Sequence, residues 1–126
     1  MQNVLKKLKF KQAGIIINPP SHLENEFSLL GVKFSFDKKI KSIATLVFVQ
    51  DSKSFFNFMQ KQLKYIEYDS LFWIAYPKQT SKIKTDINRD TLRNDVEAFG
   101  LQTVTAISID ETWSALRFRS IEKVGK

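Results

Sequence analysis

Three stretches of this chain are apolar along their whole length, and they constrain the fold more than any other feature. Residues 13–18 (AGIIIN), 43–49 (IATLVFV) and 71–76 (LFWIAY) lack the alternation of a strand with one face in water. Strands of that kind are buried on both faces, as in a parallel sheet covered by helices on either side. Pro19 and Pro20 end the first run, because neither can donate to a ladder. Residues 32–36 read as a further strand.

The segments between these runs carry helix signals. Ser21-His22-Leu23-Glu24 is a capping-box pattern, and Gly31 stands where a left-handed C-cap would close a short helix. Asp51 or Ser52 caps the longest helix, about 53–67, in which Phe55, Phe56, Met59, Leu63 and Ile66 form one apolar stripe. Asn88 caps a helix over about 89–99, with Asp90 in its first turn and Gly100 past its end. Two closing strands, about 102–109 and 113–119, are joined by Asp110-Glu111-Thr112, and so short a link requires an antiparallel pair. In the last strand Leu116 and Phe118 alternate with Arg117 and Arg119, an apolar face against a charged one.

The fold expected is α/β and three-layered. It has a mostly parallel sheet of about six strands, helices on both faces and an antiparallel C-terminal hairpin. At 126 residues the chain has the length of one domain, spanning 1–126. Its 43% hydrophobic and 26% charged residues place it among globular rather than disordered chains. The absence of cysteine excludes disulfides, thiolate zinc sites and cysteine nucleophiles. No apolar run approaches the ~20 residues that span a bilayer, and no signal peptide is recognisable. The expectation is a reduced, cytoplasmic protein without membrane partners, in which the basic stretch Val4-Leu5-Lys6-Lys7-Leu8 packs on the sheet.

The net charge of +7 is concentrated in two segments. Residues 1–12 carry Lys6, Lys7, Lys9 and Lys11 and no acid. Residues 78–93 carry Lys78, Lys82, Lys84, Arg89 and Arg93 against Asp86 and Asp90. A local positive field attracts phosphates, carboxylates or a nucleic-acid backbone. The second segment also leaves the carboxyl end of a strand, where open α/β sheets bind ligands, and leads into a helix N-terminus. Lys78, Thr80, Ser81, Lys82, Thr85 and Arg89 are therefore the candidate anion ligands. The 77–87 loop is longer than the two to six residues usual in α/β units, which points the same way. Asn18, Asp37, Trp113, Ser114 and Arg117 are candidates to line the same crevice.

No Ser-His-Asp set, P-loop or zinc motif is present. His22, the only histidine, reads as a cap-adjacent surface residue, Asp110 and Glu111 as a solvated hairpin turn, and Trp113 as packing at the sheet edge. Catalytic residues, metal ligands and cofactors are not expected. Three functions remain: a non-catalytic module for an anionic small molecule or protein, a degenerate S-adenosylmethionine-dependent enzyme, or a nucleic-acid-binding domain. The eleven phenylalanines fall mostly in apolar stripes, which makes them core rather than base-stacking platforms.

Several strings in the second half resemble a small bacterial family of unknown function. They are Leu71-Phe72-Trp73-Ile74-Ala75-Tyr76-Pro77-Lys78, Thr80-Ser81-Lys82, Thr85-Asp86-Ile87-Asn88-Arg89-Asp90, Gly100-Leu101 and Asp110-Glu111-Thr112-Trp113-Ser114-Ala115-Leu116-Arg117-Phe118-Arg119. The close resemblance covers about the last 55 residues. It implies a reduced Rossmann-like methyltransferase fold and no particular activity. Enzymes of that fold follow their first strand with a glycine-rich turn and use an acid after the second strand for the ribose. Here the turn reads Asn18-Pro19-Pro20-Ser21, and Asp37 holds the acid's position.

Overall fold

In the computed structural model, which describes residues 2–10 and 14–124, the apolar runs lie side by side as strands. Ala13, expected to open the first strand, and Lys11, in the basic leading segment, fall outside the described residues. The elements are α1 (Gln2–Lys7), β1 (Ile15–Ile17), α2 (Ser21–Leu29), β2 (Ser42–Phe48), α3 (Ser52–Gln62), β3 (Ile66–Pro77), α4 (Arg89–Asp95), β4 (Leu101–Ser108) and β5 (Trp113–Ser120). The sheet order is β1-β2-β3-β5-β4. β1, β2 and β3 pair in parallel, whereas β5 is antiparallel to both β3 and β4. The sheet is thus five-stranded and mixed, where about six mostly parallel strands were expected.

The missing strand is 32–36. It contributes one parallel bridge, Ile15 to Lys33, held by the Ile16 N–H to the Lys33 carbonyl and the Lys33 N–H to the Gly14 carbonyl. Its side chains explain why it goes no further. Val32 and Phe34 pack with the core on one face of the sheet, but Phe36 packs with the core on the other, against Phe58 and Tyr65. The segment wraps the edge beside β1 instead of lying in its plane.

Helices cover both faces. On one side Val4, Leu8 and Phe10 from α1 and its exit, with Leu23 and Phe27 from α2, pack on Ile16, Leu46, Phe48, Trp73, Trp113 and Ala115. The leading basic stretch therefore packs on the sheet, and the Trp73 indole N–H ties it there by donating to the Leu8 carbonyl at 3.0 Å. On the other side Phe55, Phe58 and Met59 of α3 and Leu92 of α4 pack on Val47, Phe72, Ile74, Leu116 and Phe118.

Local signals held in part. Asp51 caps α3, accepting from the Ser54 N–H, and Gly31 (φ 80°) and Gly100 (φ 75°) adopt the left-handed conformation past their helices. The Ser21–Glu24 capping box does not form. Pro20 is the N-cap of α2, so Ser21 already lies inside the helix. α3 stops at Gln62 rather than about Glu67, because Ile66 is needed as the extended residue that pairs with Ser42 and joins the core.

Candidate functional site

The carboxyl ends of β1, β2 and β3 open into a crevice of about 700 Å³. Asn18 and Pro20 follow β1, Phe48 and Gln50 close β2, and Ser54 stands in the first turn of α3. Thr80, Ser81, Lys82 and Ile83 come from the loop after β3, Glu111 and Thr112 from the turn between β4 and β5, and Trp113 from the start of β5. His22, in the first turn of α2, completes the lining.

The loop is held at both ends. The Lys78 N–H donates to the Thr112 carbonyl at 2.7 Å and its Nζ to Ser108 Oγ at 2.7 Å, fixing the loop to the β4–β5 turn. Asp86 accepts from the Ser52 N–H at 2.8 Å and so fastens the other end to α3. Between these ties Ser81 folds back on the Lys78 carbonyl through both its N–H and its hydroxyl.

The two longer helices that face the crevice differ at their N-termini. α3 already has its anions, since Asp51 takes the N–H and hydroxyl of Ser54 and Asp86 takes the N–H of Ser52. The Ser54 bonds hold the Asp51 carboxyl below its ordinary value. In α2 no side chain caps the first turn. The N–H groups of Leu23 and Glu24 turn back to the Pro20 carbonyl, and those of Ser21 and His22 precede the first helical bond. Of the two, α2 is the one whose positive end has no side-chain acceptor.

One ring nitrogen of His22 faces Asp110 Oδ2 at 3.2 Å. Asp110 also accepts from the Thr112 and Trp113 N–H groups, both at 2.8 Å. Burial pushes its carboxyl up, but the Trp113 N–H, the His22 ring and the Thr112 N–H outweigh this and hold it below the usual carboxylate range. Trp113 is 5% exposed and stands edge-on to Phe48. Its buried indole N–H has no acceptor among the described residues, an unmet donor in a residue that lines the crevice.

The expected anion ligands divide among three places. Thr80, Ser81 and Lys82 line the crevice. Lys78 and Arg89 line a shallower groove on the far side of the loop, with Tyr76, Asn88, Ser114 and again Thr80. Thr85 is engaged locally, its hydroxyl accepting from the Ile87 N–H. The N-terminus of α4, expected to offer N–H groups, has already spent those of Asn88, Asp90 and Thr91. Asn88 accepts from Asp90 and Thr91, and the Thr91 hydroxyl accepts from the Asn88 N–H in a complete capping box.

Among the expected lining residues, Asn18 and Trp113 are in place, whereas Asp37, Ser114 and Arg117 are not. Asp37 lies in a separate recess with Gly14 and Ile15, at the opposite end of β1, because the strand that would have carried it to the crevice does not form. Ser114 faces the groove across the loop, one residue out of phase with Trp113. Arg117 is paired with Trp73 in the middle of the sheet, away from the carboxyl ends of the strands. Among the described residues there is no group of three metal-ligating side chains and no helix long and apolar enough to cross a membrane.

His22, Gln50, Ser54, Glu111 and Thr112 enter the lining although the sequence reading left them out of it. The available signal was topological: each lies just beyond the carboxyl end of a parallel strand or in the turn that faces those ends. No family model, curated protein or solved structure matches the chain.

Proposed function

We propose that this chain is a non-catalytic α/β module that holds an anionic small molecule, or an anionic group of a protein partner, in the crevice beyond β1, β2 and β3. The supporting observation is a surplus of donors around one space. The uncapped first turn of α2, Lys82, Thr80 and Trp113, whose buried indole N–H is unmet, all border it, with Glu111 as the carboxylate in the lining. A ligand rich in acceptors satisfies such a set, and an anion does so best.

We read the sheet as a reduced Rossmann-like arrangement of the methyltransferase type. The support is the final strand, inserted antiparallel between β3 and β4 in the order β1-β2-β3-β5-β4. The same reading argues against a degenerate S-adenosylmethionine enzyme. Pro19 and Pro20 stiffen the first turn and remove backbone donors, and Asp37 is at the wrong end of β1 to meet a ribose. Calorimetry is expected to give no heat with S-adenosylmethionine at millimolar concentration. For nucleic acid, the phenylalanines it would stack on, among them Phe27, Phe55, Phe58, Phe72 and Phe118, are buried in the two cores.

Thermal-shift measurements with sulfate, phosphate and citrate test the proposal. At least one of these anions should raise the melting temperature of the wild type. Lys82→Ala should need about tenfold more of it for the same rise, the loss expected when one charge-assisted bond is removed. An equal response from both proteins would place the anion elsewhere.

A further inference from the structure

A second recess, also of about 700 Å³, opens at the other end of the parallel strands. Its apolar lining is Ile15, Phe36, Ile40, Ile43, Ala44 and Leu71, and it is bordered by Lys9, Lys33 and Lys41. Ile40 and Ile43 are 70% and 69% exposed, an unusual state for large aliphatic side chains standing beside one recess. The polar groups are unbalanced. Three lysines border it against the single acid Asp37, whose carboxylate accepts the Lys39 N–H at 2.8 Å within its own loop. Gly14 also lines the recess, where the absence of a side chain lets β1 approach β2 closely.

We propose that this recess binds a single-chain anionic amphiphile, a long-chain carboxylate, independently of the crevice at the other end of the strands. The alkyl chain covers Phe36, Ile40, Ile43 and Leu71, and the carboxylate lies among Lys9, Lys33 and Lys41. Each half of the ligand answers one observation. A short anion would leave the isoleucines in water, and a cationic amphiphile of the same length would meet three positive charges. A recess of about 700 Å³ has room for one chain, whereas a bilayer would need a broader apolar face.

The test is a titration of isotope-labelled protein with dodecanoate below its micelle concentration, followed by amide chemical shifts. Saturable one-site shifts are expected at Gly14, Ile15 and Ala44, with butyrate and dodecyltrimethylammonium giving neither shifts nor saturation. The Lys33→Glu, Lys41→Glu double variant should bind at least tenfold more weakly. So should Ile40→Ser with Ile43→Ser, whose exposed positions leave the fold intact and guard against a variant that does not fold. Equal shifts from the cationic amphiphile, or wild-type affinity in both variants, would overturn the proposal. So would a response to anionic phosphatidylglycerol vesicles without one to monomeric dodecanoate, which would make the surface a bilayer contact. Phosphate is expected to compete at the crevice and not at this recess, so failure here and failure there are separable.

Discussion

Gly14 sits where a side chain has no room: a Cβ built on it would lie 2.5 Å from the Ala44 carbonyl oxygen and 2.9 Å from the Phe10 ring. The first contact is with backbone, so Gly14→Ala must push β1 away from β2. A loss of about 1–3 kcal/mol is expected in chemical denaturation, the usual cost of overpacking. Asp110 poses a different question, because one carboxylate serves two backbone N–H groups and a histidine. Asp110→Ala should cost about 1–2 kcal/mol by orphaning those donors. Asp110→Asn, which keeps an acceptor oxygen, should cost clearly less, and equal losses would mean that the turn does not depend on them. Acid stability follows from the same kind of site. The Arg119 guanidinium, bonded to Asp69 at 2.8 and 3.1 Å, holds that carboxyl below its ordinary value, as the Ser54 bonds do for Asp51. Groups depressed in the folded state stabilise it above their unfolded value of about 4, and that stabilisation is lost as pH falls through the folded value. Urea midpoints should therefore drop below about pH 4, and Asp69→Asn should flatten part of that drop. The caps at Asp51 and Asn88 were legible because they span three residues; the His22–Asp110 contact spans 88 and left no local trace.

At the scale of elements, what could be read was what periodicity and punctuation decide. The continuous apolar runs became β1, β2 and β3, and the three-residue link at 110–112 produced the expected hairpin. Segment 32–36 has a strand's composition but distributes its aromatic residues to opposite faces of the sheet, a tertiary choice that no local pattern encodes. The α3–β3 boundary failed for a related reason, since Ile66 fits both the helical stripe and the pairing with Ser42. The long loop expected at 77–87 runs over 78–88 in the structure, and its expected anion ligands divide between the crevice and the groove beside α4. A basic residue beside a capped helix looks like a site until the capping box is seen to take the Asn88, Asp90 and Thr91 N–H groups. Asn88→Ala should cost about 1 kcal/mol of stability, as a lost N-cap does, and leave anion affinity at the crevice unchanged. A loss of affinity in that variant would return the site to α4.

For the molecule as a whole, the three-layer plan and mixed sheet put two recesses at opposite ends of the same parallel strands. The net charge of +7 makes anion binding at either end sensitive to salt, without deciding where it occurs. On the proposed reading the donors bordering the crevice set the position, and the crevice is expected to gain affinity when its own carboxylate is removed. Glu111→Gln should tighten phosphate binding about two- to fivefold at low ionic strength, the scale of one partly screened charge. The most direct test follows the Trp113 indole N–H, together with the amides of Ser21, His22, Thr80, Ser81 and Lys82, while inorganic phosphate is added to isotope-labelled protein. The indole and those amides should shift together and saturate at one concentration, raised about tenfold by Lys82→Ala. An indole resonance that stays still while shifts gather at Arg89 and the leading lysines would contradict the assignment of the anion to this crevice.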